Sequence, residues 1–165
     1  MAPGATRFPD LTPPAHWTSF TLPPQVRLIP PGTTPESARA TIIVSPIAPR
    51  TPALPPPAEL IAQAIAAEAR IRLDIHAAEP PESAPSDHGL AGVAVRVEAH
   101  DREAASDERR IYVVYVDDRF MYGVSFLGYG ADFDAHLATF WQVARSIRPF
   151  HGQIVPPAPL APPVD

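Results

Sequence analysis

The chain is 165 residues long, the size of one ordinary domain whose core is large enough to stand without staples. It has no Cys, which excludes disulfides, thiolate metal sites and a thiol nucleophile. Its 13 cationic side chains are all Arg, which removes the ammonium used by phosphate loops and Schiff-base chemistry, and a net charge of −5 without a basic stripe argues against nucleic-acid binding.

The opening, MAPGATRFPDLTPPAHW, has no positively charged start followed by an apolar run, and a lipobox needs a Cys. No stretch approaches the roughly twenty apolar residues that span a bilayer. A cytoplasmic location without membrane insertion is therefore expected, and the same residues are compatible with an exported mature form. The Lys-free, Ala-, Pro- and Arg-rich composition points to a GC-rich bacterial genome.

Residues 1–15 hold Pro3, Pro9, Pro13 and Pro14 and read as a proline-rich extended arm, because Pro neither donates to a ladder nor continues a helix. A single domain is expected over 16–150, with a second proline-rich tail over 151–165. Trp17 to Leu22 and Val26 to Ile29 read as a hairpin-like pair broken by Pro23-Pro24, and Ala40 to Val44 as a third strand. Pro46 to Pro57 carries six prolines in twelve residues, a connection too stiff to fold back freely.

A helix is predicted from about Pro57 or Ala58 to Leu73, with Pro at its first turn and Leu60, Ile61, Ala64, Ile65 and Ile71 at helical spacing. Glu79 to His88 reads as loop. Ala91 to Ala99 alternates Val93, Val95 and Val97 against Arg96 and Glu98, a half-exposed strand, and Asp101 to Glu108 reads as a charged, solvated turn.

Arg109 to Pro149 organises the rest. Ile111, Val113 and Tyr115 alternate with Tyr112, Val114 and Val116, so both faces of this strand want cover and it belongs inside a sheet. Asp117-Asp118 turns it into a second strand bearing Phe120, Tyr122, Val124 and Phe126. The closing helix gathers Phe133, Leu137, Phe140, Trp141, Ala144 and Ile147 into one stripe, with Trp141 expected as a core anchor.

These elements predict an α+β fold, an antiparallel sheet of about six strands with two main helices packed on it in an α/β/α sandwich-like arrangement. The order of elements from Trp17 to Pro149, with a tryptophan before the first strand and a closing helix carrying Phe140, Trp141, Val143, Ser146 and Ile147, resembles the PsbP and DcrB-like superfamily. Relatives there include photosystem accessory subunits, bacterial lipoproteins and chaperones of type VI secretion effectors. The resemblance implies a binding role, since these relatives mostly have no catalytic residues to carry over.

The residues themselves offer little chemistry. His16, His76, His88, His100, His136 and His151 are dispersed, without the i, i+4 spacing that places two imidazoles on one face for a metal. His100, Asp101 and Glu103 could supply mixed ligands from one loop, against the plainer reading of a solvated turn. Asp117 and Asp118 are better explained by turn geometry than by acid-base work. Ser125, Ser146 and His136 lack the flanking glycines of a nucleophile elbow. Gly128-Tyr129-Gly130 sits where a phosphate-cradling loop would be, but Asp132 and Asp134 would repel an anion there and read as a cap and dipole partners.

The expectation is thus a non-enzymatic protein-binding accessory, adaptor or chaperone-like module of a secretion system or other multiprotein assembly, with no catalytic, cofactor or metal residues. Its partner would be a protein or polypeptide segment, taken on the sheet face, the edge or the proline-rich arms. Phe120, Tyr122, Val124 and Phe126 form a candidate surface if that face is left uncovered, and are otherwise core. The alternatives are a hydrolase or small-ligand-binding enzyme using the His100 to Glu103 loop or His88, and a structural subunit held by its arms. A deep pocket of convergent polar groups would favour an enzyme, an open apolar groove an adaptor.

Overall fold

Alternating apolar residues set the sheet, and the computed structural model, which describes residues 6–154, places them in nine strands and two helices. In chain order these are β1 (Thr18–Leu22), β2 (Gln25–Ile29), β3 (Ala40–Val44), β4 (Ala48–Pro49), α1 (Pro57–Ile71), β5 (Leu73–Ala78), β6 (Glu82–Ser83), β7 (Ala91–Asp101), β8 (Ser106–Val116), β9 (Phe120–Tyr129) and α2 (Ala131–Arg145). All pair antiparallel in one sheet of order β1-β2-β3-β9-β8-β7-β5, with β4 beside β9 and β6 beside β7. The fold is α+β.

The expected strand count of about six is too low, and β4, β5 and β6 make up the difference. The stiff proline connection does fold back: Ala48 and Pro49 pair with Met121 and Phe120, and Arg50 N-H donates to Arg119 O at 2.8 Å. Strand β5 was hidden because Leu73 continues the apolar period of α1, yet the helix stops at Ile71 and Leu73 starts a strand opposite Asp101. Strand β6 is only two residues long.

Strand β8 lies between β9 and β7, as its two apolar faces require. Ile111, Val113 and Tyr115 face α2 and join Ile42, Val44, Tyr122, Val124, Phe126, Phe133, Phe140 and Ile147 in the larger core. Phe126 stacks between Phe133 and Phe140, with ring centroids 5.1 and 5.3 Å away. The opposite face has a smaller core, in which Ile61 of α1 meets Leu73, Val95, Val97 and Ala99, with Tyr112 and Val114 partly buried beside them.

Three expectations change at the level of packing. Trp141 is half-buried rather than a fully buried anchor, its ring lying 5.2 Å from Phe140 and under the Arg145 guanidinium. The N-terminal arm is part of the fold over 6–15: Pro9 is buried, Phe8 and Leu11 pack on the larger core, and Asp10 bridges to Arg148, whose N-H donates to Asp10 O at 3.0 Å. At the expected end of the domain, Phe150 packs edge-on to Phe120 and donates its N-H to Tyr122 Oη at 2.8 Å, and past that end Gly152 O accepts from Arg119 Nη2 at 3.0 Å and Ile154 packs on the larger core. The remaining arm residues 1–5 and tail residues 155–165 lie outside the described residues.

Candidate functional site

The sheet face toward α1 is wider than the helix that covers it. α1 packs over β5, β7 and β8, and Ile61 is its one buried side chain among the described residues. On β2, β3 and β9 the same face carries Gln25, Arg27, Ile43, Gly123 and Ser125, which with Ser45 just past β3 line an open groove of about 320 Å³ walled by Leu60, Ala64, Ala67 and Glu68 of α1. Apart from Glu68 the α1 wall is apolar or small, and the floor offers hydroxyl and amide groups.

One end of the groove is charged. Arg27, Arg72 and Arg110 line it against a single carboxylate, Glu68. Arg110 projects from β8 on the α1 face, two residues before Tyr112, and its side chain is only 5% exposed. Its Nε donates to the fully buried Glu108, its Nη1 reaches Tyr112 Oη at 3.4 Å and Glu68 Oε1 lies 3.8 Å away. Arg72, the C-cap residue just past α1, donates from Nε to Glu68 Oε2 at 3.0 Å and from Nη1 to Asp101 Oδ2 at 2.7 Å.

This network leaves some of its groups unpaired. Arg27 Nε and Arg110 Nη2 are buried without a hydrogen-bond partner, as is the acceptor Glu108 Oε2. Burial lowers the Arg27 pKa from its usual value, and the positive charges of Arg110 and Arg72 lower it further. Burial also works against the Arg110 cation, but Tyr112, Glu108 and Glu68 outweigh it and its pKa is raised. Burial pushes against the Asp101 carboxylate, yet the Ala104 N-H, Arg72, the Tyr129 hydroxyl and the Glu103 N-H together hold its pKa below the usual range.

Asp101 and Glu108 correct the reading of their segment as a solvated turn, since they are 1% and 2% exposed. Only 102–105 lies outside the strands, and the register sets Glu108 opposite Ala99 and Arg110 opposite Val97, on the face that α1 covers. His100 points away from Asp101 and bonds Asp107 Oδ1 at 2.8 Å at the surface, so the supposed ligand loop splits between two faces. Among the described residues no three His, Cys, Asp or Glu side chains converge as a metal set.

The other singled-out residues have local duties. Phe120, Tyr122, Val124 and Phe126 are no more than 4% exposed, so the candidate binding surface is core beneath α2. Asp117 Oδ1 accepts from the Arg119 and Phe120 N-H groups and Oδ2 from the Tyr122 hydroxyl, while Asp118 is exposed. Ser125 is on the groove floor, whereas Ser146 accepts the Thr12 N-H and His136 meets the Trp17 ring on the α2 side. His88 is exposed on a turn, its N-H on Ser86 Oγ.

Gly128-Tyr129-Gly130 serves packing. A Cβ on Gly128 would come within 2.7 Å of the Phe133 Cα, so glycine lets α2 sit down on β9, and Gly130 enters the helix with φ of 56°. Asp132 and Asp134 make no cap; they sit in the first turn, paired with Arg39 at 3.4 Å and Arg109 at 2.6 Å.

No helix among the described residues is long and apolar enough to cross a membrane. No family model matches the chain, and no curated protein does. Among solved structures it is similar, at 16% identity and a TM-score of 0.48, over 84% of its own length and the whole of the other, to PA94 from Pseudomonas aeruginosa, described as of unknown function and as a candidate regulator. A likeness of that size carries no argument about role.

Proposed function

We propose that the protein is a non-enzymatic adaptor or chaperone-like accessory that receives a polypeptide segment in the groove between α1 and the uncovered half of the sheet. The observation that carries this reading is the mismatch of widths: β2, β3 and β9 present a floor of mixed apolar and hydroxyl groups that α1 does not reach. An open trough of small and apolar side chains suits an extended or helical segment better than a small reacting molecule. The resemblance in element order to the PsbP and DcrB-like superfamily supports the same role.

Affinity purification of the wild type beside Ala64→Trp tests the reading. Ala64 is exposed on the groove wall, so the added ring fills the trough without entering a core. Co-purifying polypeptides identified by mass spectrometry should fall at least tenfold while the melting midpoint holds. Retention at wild-type levels would place the binding surface elsewhere.

A further inference from the structure

Charge is unevenly divided along the groove. Three arginines and one carboxylate line one end, and the rest of the wall is uncharged. Glu68 already shows what chemistry the arginines accept, since its two oxygens address Arg72 and Arg110 separately, at 3.0 and 3.8 Å. Two N-H groups remain beyond its reach, Arg27 Nε and Arg110 Nη2. Arg110 is nine-tenths buried and more, and a buried donor of a charged group left unsatisfied is costly, so the site gains from any acceptor brought to it.

We propose that this end of the groove is a subsite for one carboxylate, the Asp or Glu side chain of an otherwise apolar polypeptide segment, held by Arg27 Nε and Arg110 Nη2. The inference rests on the groove being the polypeptide site proposed above, and it adds which segments the groove prefers. Charge complementarity selects the occupant: the apolar walls take the flanking side chains, and an acidic side chain supplies the acceptor that two mutually repelling cations lack. An anion also relieves the crowding of Arg27 by Arg110 and Arg72, which the neutral amide of Gln or Asn does not.

The test is selection from a library of random peptides displayed on phage, fused at their C-termini so that no terminal carboxylate is free, against the full chain, Arg27→Gln and Ala64→Trp. Arg27 is half-buried and outside both cores, so its variant keeps the fold, which a melt verifies. The wild type should enrich peptides with one Asp or Glu inside an apolar run, and Ala64→Trp should enrich none of them. A selected peptide, acetylated and amidated, should lose about tenfold or more in affinity when its acid becomes the amide. Arg27→Gln should cost the acidic peptide a similar factor and the amide peptide almost nothing, the coupling expected of a direct pair. Peptides that depend on the open groove yet share no acid, or ignore Arg27→Gln, overturn the subsite and leave the polypeptide reading standing. Absence of any peptide blocked by Ala64→Trp overturns both.

Discussion

At the scale of residues, the main energetic commitment is the Arg110 and Glu108 pair, two charges taken almost wholly out of water on adjacent same-face positions of β8. Such a pair adds little net stability over apolar packing, but breaking it strands a charge. Glu108→Ala should therefore cost about 3 to 5 kcal/mol in a denaturant melt, far more than a surface substitution. A loss below about 1 kcal/mol would mean that Arg110 finds Glu68 or solvent instead. Trp141, half-exposed against Phe140, is a lesser contributor than its place in the apolar stripe implies. Spacing reveals which side chains share a face, but how far the opposing element extends decides how deeply each is buried.

At the scale of elements, the two helices are unequal partners of the sheet. α2 buries Phe133, Phe140, Val143 and Ala144, whereas α1 buries Ile61 alone and leaves Ile71 at 74% exposure. Amides in the middle of α1 should thus exchange with deuterium faster than those of α2, and Ile61→Ala, at a cost of about 2 to 5 kcal/mol, should speed α1 selectively. Equal protection of both helices in that variant would show that α1 is held by its ends. The long strands β7, β8 and β9 and both helices were legible from period alone. So were β1, β2 and β3, but β4, β5 and β6 were not, because β4 and β6 have too few residues to show alternation and β5 borrows its first apolar residue from a helical pattern. The groove escaped for a related reason: Glu108 looked like part of a charged turn and Arg110 like the mere start of a strand until register set both on the same face as Tyr112, and no local pattern announces that Arg27 and Arg72 arrive beside them.

For the molecule as a whole, buried acids of opposite tendency set a pH window. Burial raises Tyr115, Tyr122 and Tyr129 from 10.0 to about 12, so the fold favours their neutral forms; that stability is complete below pH 10 and is lost as pH rises through 12. Asp101 and Asp117 lie below the usual 3.8, Asp101 for the reasons given and Asp117 because the Tyr122 hydroxyl and the Arg119 and Phe120 N-H groups outweigh its burial. Their contribution is complete above 3.8 and is lost as pH falls further. The melting midpoint should be flat between these limits and drop on both sides, with phenolate absorbance appearing only alongside unfolding on the alkaline side. Reversible titration of all three tyrosines in the folded protein near pH 10 would contradict their burial. The pairing of β3 with β9 also has a meaning in time. Val44 meets Val124 and Ala40 meets Gly128, so β3 waits for roughly eighty more residues before its second neighbour exists. A chain leaving the ribosome carries β1, β2 and β3 with an open, largely apolar edge until β9 has been made, and that interval, rather than the finished protein, is when it most needs shelter.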